Sequence, residues 1–245
     1  MLRSIDQLYG KKLGAADGDI GHVKDFYFDD HDWAVRYVVA DTGDWLPGRR
    51  VLLSPHAFSG IDPVGKLLPV NLTRKQIEGS PSIDLHKPVS RQYEEQYHQY
   101  YDWPFYWQGE GLWGGTMGFP GLESPVAPLP FEPATIAPQS KRADAHLRST
   151  EAVNGYHLQA GDVIIGHICD FLVDDKSWAI DQLVVKIGHR FTGKEVRIPV
   201  GKVDRISYDD STVFVNLTKE AVEQSPEHHL TPNDAVVPVQ PVPAL

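Results

Sequence analysis

Few residues in this chain combine the type and the spacing that chemistry needs. His22 and His167 stand at equivalent places in two stretches of similar sequence, and two imidazoles meeting across a twofold axis would begin a metal or proton-relay site. Neither belongs to an HxxxH or HExxH pattern, so a half-buried strand histidine with one hydrogen bond is the simpler reading. Asp29-Asp30-His31-Asp32 offers oxygen ligands but lacks the spaced donors, glycine and terminal glutamate of an EF-hand loop, and reads as a solvated turn. Cys169, the single cysteine, has no His or Asp helper near it in sequence and reads as an inert thiol. His228-His229 alone is a weak ligand pair. No glycine-rich phosphate loop and no G-x-S-x-G elbow is present. No catalytic residue is therefore assigned, the chain is not expected to be an enzyme, and neither a metal nor a cofactor is expected.

One charge difference between the two stretches is suggestive. Arg36 stands where the second stretch has Asp181, so a pseudo-symmetric pairing would bring opposite charges together, with His22 and His167 as further inter-repeat candidates. The alternative is that each charge is simply solvated.

Aromatic residues form the other candidate site. Tyr93, Tyr97, Tyr100 and Tyr101 recur at i, i+4, i+7 and i+8 on one face of a helix that Ser90 would cap, and Trp103 and Trp107 extend the supply beyond the break at Pro104. Such a face must be buried. It either packs on its own or a neighbouring domain, or it anchors a partner, for which Tyr and Trp are well suited.

The elements that position these residues come in duplicate. At an offset of 145 residues, Leu2-Arg3-Ser4 falls on Leu147-Arg148-Ser149, Gly21-His22 on Gly166-His167, and Asp25-Phe26 on Asp170-Phe171. Trp33-Ala34 likewise falls on Trp178-Ala179, and Val70-Asn71-Leu72-Thr73 on Val215-Asn216-Leu217-Thr218. A one-residue drift is expected where Ser54-Pro55 aligns with Ile198-Pro199. A period this long with two copies means tandem domains, each expected to own a core. Within a copy, Asp17-Gly18 marks a hairpin, Trp33–Ala40 and Trp178–Val185 read as strands, and Thr73 with Gln76 forms a capping box for a short helix. About five strands and one helix result, in a small barrel or half-barrel.

Composition bounds the function. A net charge of −10 opposes nucleic-acid phosphates, so a nucleic-acid partner is not expected. No apolar run approaches the ~20 residues that span a bilayer, and the N-terminus lacks a signal-peptide core, so no membrane span and a cytoplasmic location are expected.

The Leu-Arg-Ser start, the Asp25-x-x-Phe28-Asp29 run after Ile20-Gly21, and Val70-Asn71-Leu72-Thr73 leading to a short helix resemble the PRC-barrel family. That family is named for the cytoplasmic domain of the photosynthetic reaction-centre H subunit and includes stand-alone bacterial members. The resemblance covers roughly 1–85 and 146–230, implies a six-stranded type of barrel, and brings no catalytic motif. It also touches the C-terminal domain of a ribosome-maturation factor, but this chain lacks that factor's separate N-terminal domain, and it lacks the H subunit's membrane helix. The fold class expected is thus mainly β: two tandem small antiparallel barrels at 1–86 and 146–231, each followed by a short helix. An aromatic and Pro/Gly-rich connector spans 87–145 and a Pro-rich tail 232–245. The function expected is a non-enzymatic adaptor binding a protein partner through Tyr93, Tyr97, Tyr100, Tyr101, Trp103 and Trp107, with self-association compatible with the duplication. A small-molecule binder with a pocket between the barrels is the alternative, and a ribosome- or RNA-associated factor ranks behind it.

Overall fold

The computed structural model describes residues 1–59, 67–81, 89–108, 111–114, 147–188 and 193–229. The expected linker over Ser124–Pro138 and the tail from Asn233 lie outside them.

The first repeat contributes β1 (Leu2–Ser4), β2 (Lys12–Ala15), β3 (Gly18–Asp29), β4 (Ala34–Asp41), β5 (Arg50–Leu53), β6 (Leu67–Pro69) and the helix α1 (Arg74–Glu78). The connector opens with α2 (Arg91–Tyr101). The second repeat contributes β7 (Leu147–Ser149), α3 (Thr150–Val153), β8 (His157–Ala160), β9 (Val163–Asp174), β10 (Ile180–Ile187), β11 (Lys194–Pro199), β12 (Val203–Ser207), β13 (Thr212–Val215) and α4 (Lys219–Glu223). Local chemistry sets the helix starts: Thr73 and Gln76 form the reciprocal capping box, Ser90 Oγ accepts from Tyr93 N at 3.2 Å, and Thr218 Oγ1 accepts from Ala221 N at 3.2 Å.

The chain is mainly β and forms two sheets, one in the order β5-β4-β3-β2-β6 and the other in the order β11-β10-β9-β8-β13-β12. Among the described residues no ladder joins the end strands of either path, so the closed barrel expected from the sequence is not seen. Nor are the sheets wholly antiparallel. β2 pairs with β6, and β8 with β13, in parallel, because the strands between them in sequence carry the chain back before each pair is made. The expected one-residue drift is also absent, since Leu53 opposite Val38 is matched by Ile198 opposite Leu183, keeping the offset at 145. Among the described residues the second repeat has one strand more than the first, β12, and its counterpart in the first repeat is the isolated Phe58–Val70 bridge.

The repeats are not self-contained. β1 of the first repeat pairs antiparallel with β9, with Leu2 opposite Asp174, Arg3 opposite Val173 and Ser4 opposite Leu172. β7 of the second pairs with β3 in the equivalent register, with Leu147 opposite Asp29, Arg148 opposite Phe28 and Ser149 opposite Tyr27. Each repeat has given its first strand to the other. At the centre, Ala34 and Ala179 form an antiparallel bridge, and Val35 N donates to Trp178 O at 2.9 Å while Ile180 N donates to Trp33 O at 2.6 Å. This set maps onto itself when the repeats are interchanged, which places a pseudo-twofold axis there.

The expectation that each repeat owns a core is corrected accordingly. One buried cluster runs from Leu13, Phe26 and Phe28 through Phe171, Trp178 and Val185, with the Phe28 and Phe171 ring centroids 5.6 Å apart across the junction. Strand exchange forces this, because residues beside a shared strand bury against both sheets.

Candidate functional site

Two places concentrate buried polar chemistry, the exchange junction and the interface between the connector and the first sheet. At the junction, Asp25 and Asp170 play equivalent parts. Asp25 accepts from Ser149 Oγ at 2.6 Å, Glu151 N at 3.1 Å, Thr150 Oγ1 at 3.2 Å and Phe26 N at 2.7 Å. Asp170 accepts from Asp6 N at 2.9 Å and Phe171 N at 2.7 Å, and from the Ser4 side chain. Burial pushes Asp170 up to about 6 and raises Asp25 as well, against the opposing pull of these hydrogen bonds. Each carboxyl therefore anchors the exchanged segment of the other repeat, with its acceptor capacity taken up by that task.

A second equivalent pair ties the segments down. Arg3 reaches Asp175 at 3.0 Å, and Arg148 reaches Asp30 at 3.5 Å while stacking on Tyr208, whose hydroxyl also donates to Asp30. Asp29 and Asp174 cap equivalent turns, accepting from His31 N and from Lys176 N. The Asp-rich turn is thus occupied by capping and ion pairing, not merely solvated.

Residues 89–108 of the connector fold over the outer face of the first sheet. Tyr97 is fully buried against Tyr37, Val39 and Leu52, and its hydroxyl accepts from Ser54 N at 3.0 Å and donates to Leu52 O at 2.9 Å. Glu94, equally buried, accepts from Tyr106 OH at 2.7 Å and Tyr37 OH at 3.0 Å and lies 3.1 Å from Arg91. His98 Nδ1 lies 2.8 Å from Pro104 O, which can only accept, so this nitrogen carries the proton and Nε2 is left to accept. Burial, and then the neighbouring His56, Arg36 and Arg91, bring His98 down to about 4. Tyr93 donates to Pro81 O and Tyr100 to Gln76 O, while Tyr101 stacks on Trp103 at 4.5 Å and Trp107 lies over Arg91 at 4.2 Å. Of the six aromatics expected to meet a partner, Tyr97 is wholly internal, Tyr93, Tyr101, Trp103 and Trp107 are half-buried, and Tyr100 is exposed.

No protein-family model and no curated protein matches the chain. What the chain does must therefore be argued from these residues.

The expected Arg36–Asp181 pair is not formed. Arg36 is buried and ties to Asp32 at 2.7 Å and Asp29 at 3.6 Å within its own repeat, donates to Leu112 O, and lies 3.9 Å from the Tyr106 ring; Asp181 is exposed. A long side chain next to two carboxylates in its own turn has nothing to gain by reaching across the axis. His22 is exposed opposite Lys12 and Asp41 in the first sheet, whereas His167 is half-buried opposite His157 and Lys186 in the second, so the two imidazoles are not brought together. Among the described residues no group of three or more His, Cys, Asp or Glu is arranged to hold a metal ion. Burial pushes the Cys169 thiol up to about 12, which suits an unreactive group.

Sequence reasoning passed over Glu94, His98, His56 and Arg36 as one cluster. The available signal was the density of polar residues on the tyrosine helix, where Glu94 and His98 lie four apart and hence on one face.

Proposed function

We propose that the protein is a non-catalytic adaptor related to PRC-barrel proteins, built from two barrel-like halves and binding a protein partner in the cytoplasm. The observation that carries this reading is the reciprocal exchange of β1 and β7, which makes one two-repeat frame on which the aromatic connector is held down. A rigid frame carrying an ordered aromatic rim is what a protein interface needs, because preorganised Tyr and Trp side chains lose little entropy on binding. The rim consists of Tyr100, 44% exposed, Trp103, joined to it through Tyr101, and Trp107, which packs apart from them against Arg91 and His98; Tyr97 and Tyr93 hold the helix to the sheet. Among the described residues no helix is long and apolar enough to cross a membrane.

The reading is tested by affinity capture from native extract with the intact protein and with a Tyr100→Ala/Trp107→Ala variant of unchanged melting temperature. A protein held by the first and lost by the second, and then rebuilt as a purified pair, supports the adaptor. Equal capture by both removes the aromatic rim from the interface.

A small-molecule binder is the second reading, and one observation favours it. Arg36 Nε and His56 Nε2 are buried without a hydrogen-bond partner beside Trp113, whose ring lies 5.1 Å from the Arg36 guanidinium and 5.2 Å from the His56 ring. A non-protein mass that co-purifies with the intact chain and is lost in Arg36→Met would move the assignment there.

A further inference from the structure

We propose that a second copy of this chain is a partner of the protein, docked through the same strand exchange that joins the two repeats within one chain. The acceptor on the second sheet takes Leu2-Arg3-Ser4 along β9, engages the arginine with Asp175 at 3.0 Å, and receives the N–H of Asp6 on Asp170 at 2.9 Å. The acceptor on the first sheet takes Leu147-Arg148-Ser149 along β3, engages its arginine with Asp30 at 3.5 Å, and receives the N–H of Glu151 on Asp25 at 3.1 Å. Two donors share one tripeptide, and two acceptors share one register and one set of carboxylates. None of these contacts reads whether the donor belongs to the same chain.

The first repeat of one copy then closes on the second repeat of the other, and reciprocally. The product is an isologous twofold dimer that fills every acceptor and requires no surface beyond the one already described. Exchange within a chain and exchange between chains make the same strand ladder and ion pairs, so concentration during folding partitions the two forms. Conversion requires the halves to separate, which breaks β1 from β9 and β7 from β3 together, so each form persists once made. This inference does not depend on the adaptor reading, since it concerns the junction and not the aromatic rim.

The test uses the ladder itself. Ser4 and Leu172 face each other next to the Ile5 N to Phe171 O hydrogen bond of 2.9 Å, so theirs is a close, non-hydrogen-bonded pair suited to a disulfide. Two full-length chains with different tags, one Ser4→Cys and the other Leu172→Cys, both in a Cys169→Ser background, are co-expressed and oxidised. The expected result is a cross-linked species of twice the 27.4 kDa chain mass that carries both tags and increases with expression level. Mixing the same two chains after separate folding is expected to give none of it. A single chain carrying both cysteines tests the geometry, since its intrachain cross-link needs only the register described. That intrachain link without any interchain product overturns the proposal, and loss of the intrachain link overturns it as well, by removing the ladder on which it stands.

Discussion

Arg3 and Asp175 lie 172 residues apart in sequence and 3.0 Å apart in space, with each side chain about nine-tenths buried. The same carboxylate oxygen also accepts from Arg3 Nε at 3.2 Å. Asp175 keeps the Met1 amino group at 2.8 Å when Arg3 is removed, so Arg3→Ala loses a charged hydrogen-bonded pair without orphaning the carboxylate and is expected to cost about 1.5 to 3 kcal/mol. Denaturant unfolding of Arg3→Ala, Asp175→Ala and the double variant checks this, because coupled partners give a double-variant loss well below the sum of the singles.

Cutting the chain between the repeats is expected to leave them together. A protease site inserted within 115–146 lets the two pieces be separated covalently, yet each piece still holds the other's first strand and half of the core. Size-exclusion chromatography after complete cleavage should return both pieces in one peak at the mass of the intact chain. Two separate peaks would contradict the exchange.

Gly21 sits at a backbone position with φ of +118°, where an added Cβ would lie 1.9 Å from the carbonyl oxygen of Asp41. Backbone cannot move aside as a flexible side chain can, so Gly21→Ala should cost more than about 3 kcal/mol. Gly10, at φ of +71° with nothing near its would-be Cβ, should cost only about 1 to 2 kcal/mol as alanine. A thermal melt of both variants distinguishes steric collision from simple conformational preference.

The connector's hold on the sheet is measurable at one hydroxyl. Tyr97→Phe leaves Ser54 N and Leu52 O buried without their partner and is expected to cost about 1 to 3 kcal/mol. Tyr100→Phe, which removes a hydroxyl from an exposed ring, should change stability by less than about 0.5 kcal/mol.

Acid should weaken the connector interface. Burial, with Arg36 nearby, brings His56 to about 4, and His98 is likewise near 4, both below the ordinary histidine value of 6.5. A lowered histidine favours the neutral form in the fold, so its contribution is complete above about 6.5 and is lost as pH falls toward 4. Asp170 acts with the opposite sign, because its raised value of about 6 favours the protonated acid, and its contribution is lost as pH rises through that value. Unfolding free energy measured from pH 4.5 to 7 should rise less steeply in His98→Gln than in the parent, and more steeply in Asp170→Asn.

The duplication, the hairpin at Asp17-Gly18, the capped helices and the positions of β4 and β10 were legible because glycine turns, capping residues and β-branched runs act locally. The exchange was not. Leu2–Ser4 and Leu147–Ser149 are three residues long, too short for periodicity, and their shared sequence shows that they are equivalent without showing which repeat each one serves. β12 went unread because Asp204 and Arg205 are exposed and give it a turn-like polarity. At the candidate site, the tyrosine face was readable from its spacing, while the inward course of Arg36 depends on Asp29, Asp32 and the carbonyl of Leu112, which come together only in three dimensions.

The exchange also sets a schedule for synthesis. Leu2–Ser4 is made about 170 residues before its partner strand and has nothing to join until Leu172–Asp174 follows. At typical elongation rates of about 5 to 20 residues per second, that wait is roughly 10 to 30 seconds. Throughout it the early half exposes the edge of β3 that β7 will later cover, so the nascent chain is open to capture by chaperones and by neighbouring nascent chains on the same messenger.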